Sequence, residues 1–213
     1  MAVQHVNLAQ VPATPWKNGG GATRELACWP PGADMDHFDW RVSVATVADS
    51  GPFSCFAGVD RVITLLTGDG MHLRHVNSQS QSPRHTQRHV DHVLQPFTPF
   101  AFAGDDRIDC DVVGGTCTDL NLMARRGRWQ GSVQVLRGDA LVPARPAGLL
   151  LAVHGCWAVA PLATAESPAV DEGLVLAPDG GLWWADEHRG FYAAPVPAHE
   201  GAAVLLHVVL APA

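Results

Sequence analysis

Pro15-Trp16-Lys17-Asn18-Gly19-Gly20-Gly21-Ala22-Thr23-Arg24-Glu25 gathers most of the chemistry-bearing residue types of this chain into one stretch. Glycine adopts φ > 0 without a steric penalty and lets a ligand approach the backbone closely. A turn needs one or two such residues; three in a row suggest a cradle of exposed N–H groups. Around them stand an indole, two cations, an amide, a hydroxyl and a carboxylate. Lys17 is the only lysine among 213 residues. An amine beside a carboxylate can bind an anion or, when desolvated, act as a base or Schiff-base former. Glu25 and Asp105 are its candidate partners, and anion binding is the simpler role. A plain glycine-rich loop is the alternative, and the spacing alone leaves both open. A phosphate loop is disfavoured, because such loops run from a strand into a helix and a strand-like segment, 22–29, follows here.

Two later segments place polar residues on one face of a strand. Over 38–47, Trp40, Val42, Val44 and Thr46 alternate with Arg41, Ser43, Ala45 and Val47, and a strand sends successive side chains to opposite faces. Arg41 and Ser43 therefore share a face, with Ala45 leaving room beside them. Over 119–123, Leu120 and Leu122 form an apolar face while Asp119, Asn121 and Met123 form the other. The eleven histidines contain no His-x-His pair. His72 and His75 would point to opposite faces of a strand, and His85, His89 and His92 fall in or beside a polar segment. A metal centre needs three or four ligands in fixed geometry, so no metal or other cofactor is expected. No Gly-x-Ser-x-Gly elbow or Cys/His signature of nucleophilic catalysis is present.

Those residues need elements to hold them, and the composition points to strands. Glycine (21) and proline (16) are frequent, as chains with many turns require. No sustained 3.6-residue period appears. Strand patterns recur at 2–8, 22–29, 38–47, 61–67, 71–76, 89–94, 97–102, 107–113 and 119–123. Shorter ones follow at 132–136, 149–153, 157–159, 174–176, 182–184 and 203–210. Gly68-Asp69-Gly70 predicts a hairpin between 61–67 and 71–76. Segments 77–88 and 161–171 read as loops. In Trp183-Trp184 the two indoles must face opposite sides, so one is expected to be exposed as a contact in a homodimer. Short strands at regular spacing mean an all-β barrel or sandwich. The halves 1–127 and 128–213 look like two copies of one architecture, without a detectable sequence repeat.

The formal net charge is −7, with 14 basic residues scattered along the chain. Nucleic-acid binding needs a clustered positive field, so that partner is not expected. Arg125-Arg126-Gly127-Arg128 reads as a solvated turn. No apolar stretch approaches the ~20 residues of a membrane span, and 1–5 lacks the start of a signal peptide. The five cysteines are odd in number and widely spaced, which suits reduced thiols in a cytoplasmic protein.

The glycine-rich stretch, Trp40-Arg41-Val42-Ser43-Val44-Ala45-Thr46-Val47 with Asp49-Ser50-Gly51-Pro52-Phe53-Ser54, Gly58-Val59-Asp60-Arg61, Pro99-Phe100-Ala101-Phe102-Ala103-Gly104-Asp105 and Asp119-Leu120-Asn121-Leu122-Met123 together resemble the HutD/Ves family. The motifs occur in the family's order over about residues 3–127. The resemblance implies a cupin-type β-barrel fold with two barrel-like halves, a bicupin, in a bacterial cytoplasmic protein. One branch of that family accompanies histidine utilisation and is thought to bind a small pathway molecule such as urocanate and limit flux. The other is linked to stress response. The motif residues would then line a ligand pocket in the first barrel: Lys17, Asn18, Gly19, Gly20, Gly21, Thr23, Glu25, Arg61, Phe102, Asn121 and Met123. Lys17 or Arg61 would meet a carboxylate, Gly19–Gly21 would offer N–H groups, and Phe102 or Met123 would form a flat wall. Asn121 can both donate and accept. Glu25 either touches the ligand or holds Lys17 or Arg61 as an ion pair. The expected partner is thus a small anionic metabolite, urocanate- or formate-like. An enzyme of unassigned reaction using Lys17 with a carboxylate, or a stress-response binding module, is the competing reading.

Overall fold

The computed structural model describes residues 3–75, 91–162, 173–197 and 202–213 of the chain. The expected loop 77–88 and most of 161–171 lie outside the described residues, as do His85, His89 and His199. The first strands are β1 (Gln4–Asn7), β2 (Thr14–Pro15), β3 (Gly21–Trp29), β4 (Trp40–Val47), β5 (Gly51–Pro52) and β6 (Val59–Thr67). They are followed by β7 (Gly70–His75), β8 (Asp91–Leu94), β9 (Phe100–Ala103), β10 (Ile108–Val113) and β11 (Cys117–Arg125). The second half holds β12 (Trp129–Leu136), β13 (Ala140–Arg145), β14 (Ala147–His154) and β15 (Trp157–Pro161). It ends with β16 (Leu174–Leu176), β17 (Gly180–Trp184), β18 (Arg189–Pro195) and β19 (Val204–Pro212). The one described helical element is a 3-10 turn, Leu8–Gln10, and no helix among the described residues is long and apolar enough to cross a membrane.

Four antiparallel sheets pair into two barrels. The first barrel is built from sheets β2-β3-β4-β11-β6-β9 and β5-β10-β7-β8. The second is built from β1-β17-β14-β19-β12 and β13-β18-β15-β16. The expected division at 127/128 falls in the turn between β11 and β12, but β1 pairs with β17 and belongs to the second barrel's sheet. Sequence reading had no means of placing β1, because four alternating residues fit any sheet edge.

The larger sheet of each barrel packs against that of the other, and strand alternation explains how. Trp40, Val42, Val44, Leu120 and Leu122 face Leu149, Leu151, Leu206, Val208 and Leu210 in one core between the barrels. The opposite faces of the same strands turn inward. Inside the first barrel Ala45, Val47, Ile63, Leu65, Met71 and Leu73 form a second core. Inside the second, Val142, Leu150, Trp157, Leu182, Trp184 and Phe191 form a third. Trp183 and Trp184 do face opposite sides, but neither is exposed. Trp184 sits inside the second barrel, and Trp183 packs edge-on against Trp40 in the inter-barrel core, 6.1 Å between ring centroids.

The turn at Gly68–Gly70 does not make the expected hairpin. β6 and β7 lie in different sheets of the first barrel, so the chain turns a corner from one wall to the other. A Cβ on Gly68, whose φ is +106°, would come within 2.4 Å of Cys117 Sγ. The glycines there permit a close crossing, which is a different use of the same residues. β13 and β18 were missed in the sequence because Pro143, Gly190 and Pro195 interrupt their pattern; β13 is an edge strand, which tolerates proline.

Candidate functional site

The register of the first barrel stacks polar residues in rows across its inner face. Met123 on β11 lies opposite Arg41 on β4 and Arg61 on β6. One pair along, Asn121 lies opposite Ser43 and Ile63, and Ser43 in turn opposite Glu25. The next row holds Asp119 opposite Ala45 and Leu65. A bulge between Glu25 and Ala27 resets the alternation of β3, so that Glu25 still faces inward while Leu26 and Ala27 join the inter-barrel core. These rows open onto a cavity of about 950 Å³ at the end of the barrel that its apolar core does not fill. Such a volume is in the range of small-molecule sites.

Arg61 dominates the chemistry of this cavity. It is only 6% exposed, yet among the described residues no carboxylate comes within ion-pairing distance of it. Its Nε donates to Asn121 Oδ1 at 3.4 Å and a terminal nitrogen to the Ser54 carbonyl at 3.3 Å. The rings of Phe53, Phe56 and Phe102 surround its guanidinium at 5.4, 5.5 and 4.9 Å. A desolvated cation over aromatic faces gains cation–π stabilisation. Burial pulls its pKa down to about 10, with Asp119 pulling the other way, so it stays charged at neutral pH.

Arg41 points into the same cavity. Its Nε donates to Glu25 Oε2 at 2.6 Å and a terminal nitrogen to Ser43 Oγ at 3.3 Å. Glu25 thus holds a cation, but the cation is Arg41, not Lys17 or Arg61. Asp119 lies deeper, 2% exposed, and among the described residues no donor meets its carboxyl. Burial pushes its pKa up to about 7, and Arg61 holds it back.

The glycine stretch borders this site without supplying N–H groups to it. The Gly19 N–H donates to the Trp16 carbonyl at 3.0 Å, closing a turn over Lys17 and Asn18, and the Gly20 N–H donates to Asn18 Oδ1 at 3.2 Å. Gly21 starts β3, and a Cβ there would lie 2.4 Å from the Thr46 carbonyl and 2.9 Å from the Trp16 ring. The run of glycines therefore presses the Trp16 indole against the sheet. Trp16 Nε1 donates to Thr23 Oγ1 at 2.8 Å, and both residues line the cavity.

Of the residues expected at the site, Lys17, Asn18, Thr23, Glu25, Arg61, Asn121 and Met123 line this cavity. Lys17 is exposed at its rim. Gly19, Gly20 and Gly21 are not among the lining residues, and Phe102 stands behind the Arg61 guanidinium, lining a separate groove of about 690 Å³ between β6, β8 and β9. Asp105 is engaged elsewhere, accepting from the Gly58 N–H at 3.0 Å and pairing with Arg126 at 3.0 Å. Arg41, Ser43 and Asp119 were absent from the expected set. Their signal was present: each shares a face with residues that were chosen.

The donors do not suit a metal. Glu25 and Asp119 are the cavity's carboxyls, and two guanidinium groups stand among them. Among the described residues no group of three or more His, Cys, Asp or Glu is placed to hold an ion.

A sequence profile of the HutD family matches residues 8–204. The chain belongs to the HutD family. It is 33% identical over 187 residues to protein Ves of Citrobacter koseri, covering 87% of this chain and 85% of that one. It is 37% identical over 149 residues to an uncharacterized 21.2 kDa protein in the hutC 3′ region of Pseudomonas putida, covering 70% and 72%. The structure of HutD from Pseudomonas fluorescens SBW25 superposes over 100% of both chains with a TM-score of 0.74 at 26% identity. An oxalate decarboxylase from Lactobacillus farciminis covers 98% of this chain with a TM-score of 0.67 at 7% identity. That likeness concerns fold alone, and the fold is a cupin-type one with two barrels. The family is associated with the histidine-utilisation region.

Proposed function

We propose that this protein is an accessory binding protein of histidine utilisation that holds a small carboxylate in the first barrel. The observation that carries the reading is Arg61, a buried guanidinium facing a cavity of about 950 Å³ with no carboxylate paired to it among the described residues. A buried charge left without a counterion is costly. A ligand carboxylate entering beside Arg61 and Arg41 would supply one, through charge-assisted hydrogen bonds. Lys17 at the mouth adds a third cation to a chain whose net charge is −7, so an anion would be drawn to this opening specifically. A urocanate- or formate-like molecule fits the size and the charge, and the P. fluorescens relative was solved in a formate condition. A role in sensing or limiting pathway flux follows from binding without turnover. An enzyme built on Lys17 is less well supported, since Lys17 is exposed and Glu25 and Asp105 are each committed to an arginine.

Calorimetry with urocanate, formate, formylglutamate and histidine tests this. At least one carboxylate is expected to bind with one site per chain, and Arg61→Met should weaken it ten- to a hundredfold, the value of about 1.5–3 kcal/mol for a hydrogen bond to a charged group. Binding of none of the four, or undiminished binding by Arg61→Met, would refute the assignment.

A further inference from the structure

Asp119 is the one charged-type group in the cavity that the carboxylate reading leaves unexplained. It is 2% exposed, lines the cavity, and meets no hydrogen-bond donor among the described residues. A buried carboxyl without a donor costs more than a satisfied one, whether ionised or neutral. Ionised Asp119 supports the charge of Arg61, but at the floor of an anion-binding cavity it also repels the ligand. An apolar side chain at the same strand position would carry no such cost.

The spacing of the site suggests what resolves this. Arg41 reaches Ser43, and Arg61 reaches Asn121, so both guanidinium groups lie near the level of the Ser43–Asn121 row. Asp119 belongs to the next row inward, opposite Ala45. One such step, two residues along a strand, is about 6.6 Å. Ala45 leaves open space beside Asp119 where a larger side chain would close it.

Building on the carboxylate reading above, we infer that the cavity selects a two-ended ligand. Its carboxylate sits against Arg41 and Arg61, and a hydrogen-bond donor, a ring or amide N–H, about 6–7 Å away by the same strand spacing meets Asp119. Asp119 is then the specificity-determining residue: its repulsion weakens the binding of plain carboxylates, and it favours those that satisfy it. A site built to bond an N–H discriminates strongly against analogues lacking it, since the buried acceptor is then left unpaired. The groups coupled to Asp119 by charge are Arg61 on β6 and the Cys110 thiol on β10, while Arg41 on β4 and Glu25 on β3 line the same cavity. Asp119 has its pKa raised by burial to about 7, and Arg61, at about 10, stays charged there. Discrimination should therefore widen as pH rises through neutrality and Asp119 ionises.

Pyrrole acrylate and furan acrylate form a matched pair of probes, differing only in a ring N–H replaced by oxygen, and neither titrates near neutrality. Calorimetry on the whole chain should show the pyrrole acid binding at least tenfold more tightly at pH 8, with a smaller ratio at pH 6, the order expected of a charged hydrogen bond. Asp119→Ala should bring the ratio to within about threefold by strengthening the furan acid and weakening the pyrrole acid. Asp119→Asn, which keeps the volume and one acceptor, should leave a ratio between these that no longer varies with pH. Equal binding of both acids by the wild type, or an unchanged ratio in both variants, overturns the two-ended ligand while leaving the carboxylate site standing. Failure of both acids and of the four metabolites above would remove both readings together.

Discussion

Where the second barrel places Trp157, Trp184 and Phe191 at its centre, the first leaves about 950 Å³ open and lines it with Arg41, Arg61, Asp119, Ser43 and Asn121. The two are built from the same number of layers and the same antiparallel pairing. A barrel of this size closes readily around large apolar side chains, each contributing about 1.5–3 kcal/mol by burial. The first barrel forgoes that gain at one end and buries charge there instead. Protein interiors are otherwise close-packed, so an unfilled, charge-lined interior beside a filled one is the observation on which the proposed binding role of the first barrel rests.

The contrast predicts unequal sensitivity to truncation. Trp184→Ala removes an indole whose Nε1 donates to the Arg145 carbonyl at 2.9 Å and opens a void in a packed core, at a cost of about 3–5 kcal/mol. Asn121→Ala in the open barrel removes one long acceptor contact, 3.4 Å, from the Arg61 guanidinium and opens no void in a packed core, so it should cost about 1.5 kcal/mol, the low end for a hydrogen bond to a charged group. Urea unfolding of the two variants measures the difference, and equal losses would mean that the first barrel is as tightly filled as the second. Ligand binding should respond in reverse. Arg41→Met should lower carboxylate affinity by about tenfold or more, while Trp184→Ala, where folded, leaves it nearly unchanged.

Each barrel also hides a titratable group, and the two respond to pH with opposite sign. Burial raises the pKa of Asp119 from its ordinary value of 3.8 to about 7. Between those values the folded chain holds the extra proton, so stability falls as pH rises from about 4 to about 7 and the penalty is complete above that. His207, whose Nδ1 lies 3.1 Å from Gln134 Oε1, has a pKa lowered by burial from 6.5 to about 4. There the unfolded chain binds the extra proton, so stability is lost as pH falls from about 6.5 to about 4. The two windows overlap and oppose each other in the wild type. Single variants separate them: the melting temperature of Asp119→Asn should rise above wild type increasingly toward pH 8, and that of His207→Gln increasingly toward pH 4. Parallel pH profiles for wild type and either variant would show that the group in question carries no such linkage.

The smallest effect is expected at the mouth. Lys17 is exposed, and a solvated charge is screened by salt. Lys17→Ala should weaken carboxylate binding by about two- to fivefold at low salt, with the difference vanishing at high ionic strength. A larger, salt-independent loss would place Lys17 on the ligand and shift the working centre from Arg61 to the rim.

Much of this is legible in the sequence. The alternation of Trp40–Val47 and of 119–123 separated an inter-barrel face from a cavity face correctly, since one flipped residue would have buried Arg41 among leucines. What escaped was whatever depends on neighbours distant in sequence. Glu25 meets Arg41 because β3 pairs with β4 in one register and carries a bulge, which no local pattern announces. Phe102 was expected as a ligand wall and instead backs a guanidinium, because β9 sits at the sheet edge beyond β6. Three successive glycines suggest a set of donors, whereas contacts with Trp16, Asn18 and Thr46 make them a packing surface.

The pairing of β1 with β17 sets an order of events during synthesis. Val6 must find Gly181, and Gln4 must find Trp183, so β1 leaves the ribosome long before its partner exists. Contacts this distant in sequence slow folding, and an unpaired strand edge invites association in the meantime. The first barrel, whose strands β2 to β11 are all made by Arg125, can close early with β1 left outside it. The second barrel is completed only when the earliest-made strand returns to it, so the two halves are stitched together in time as well as in space.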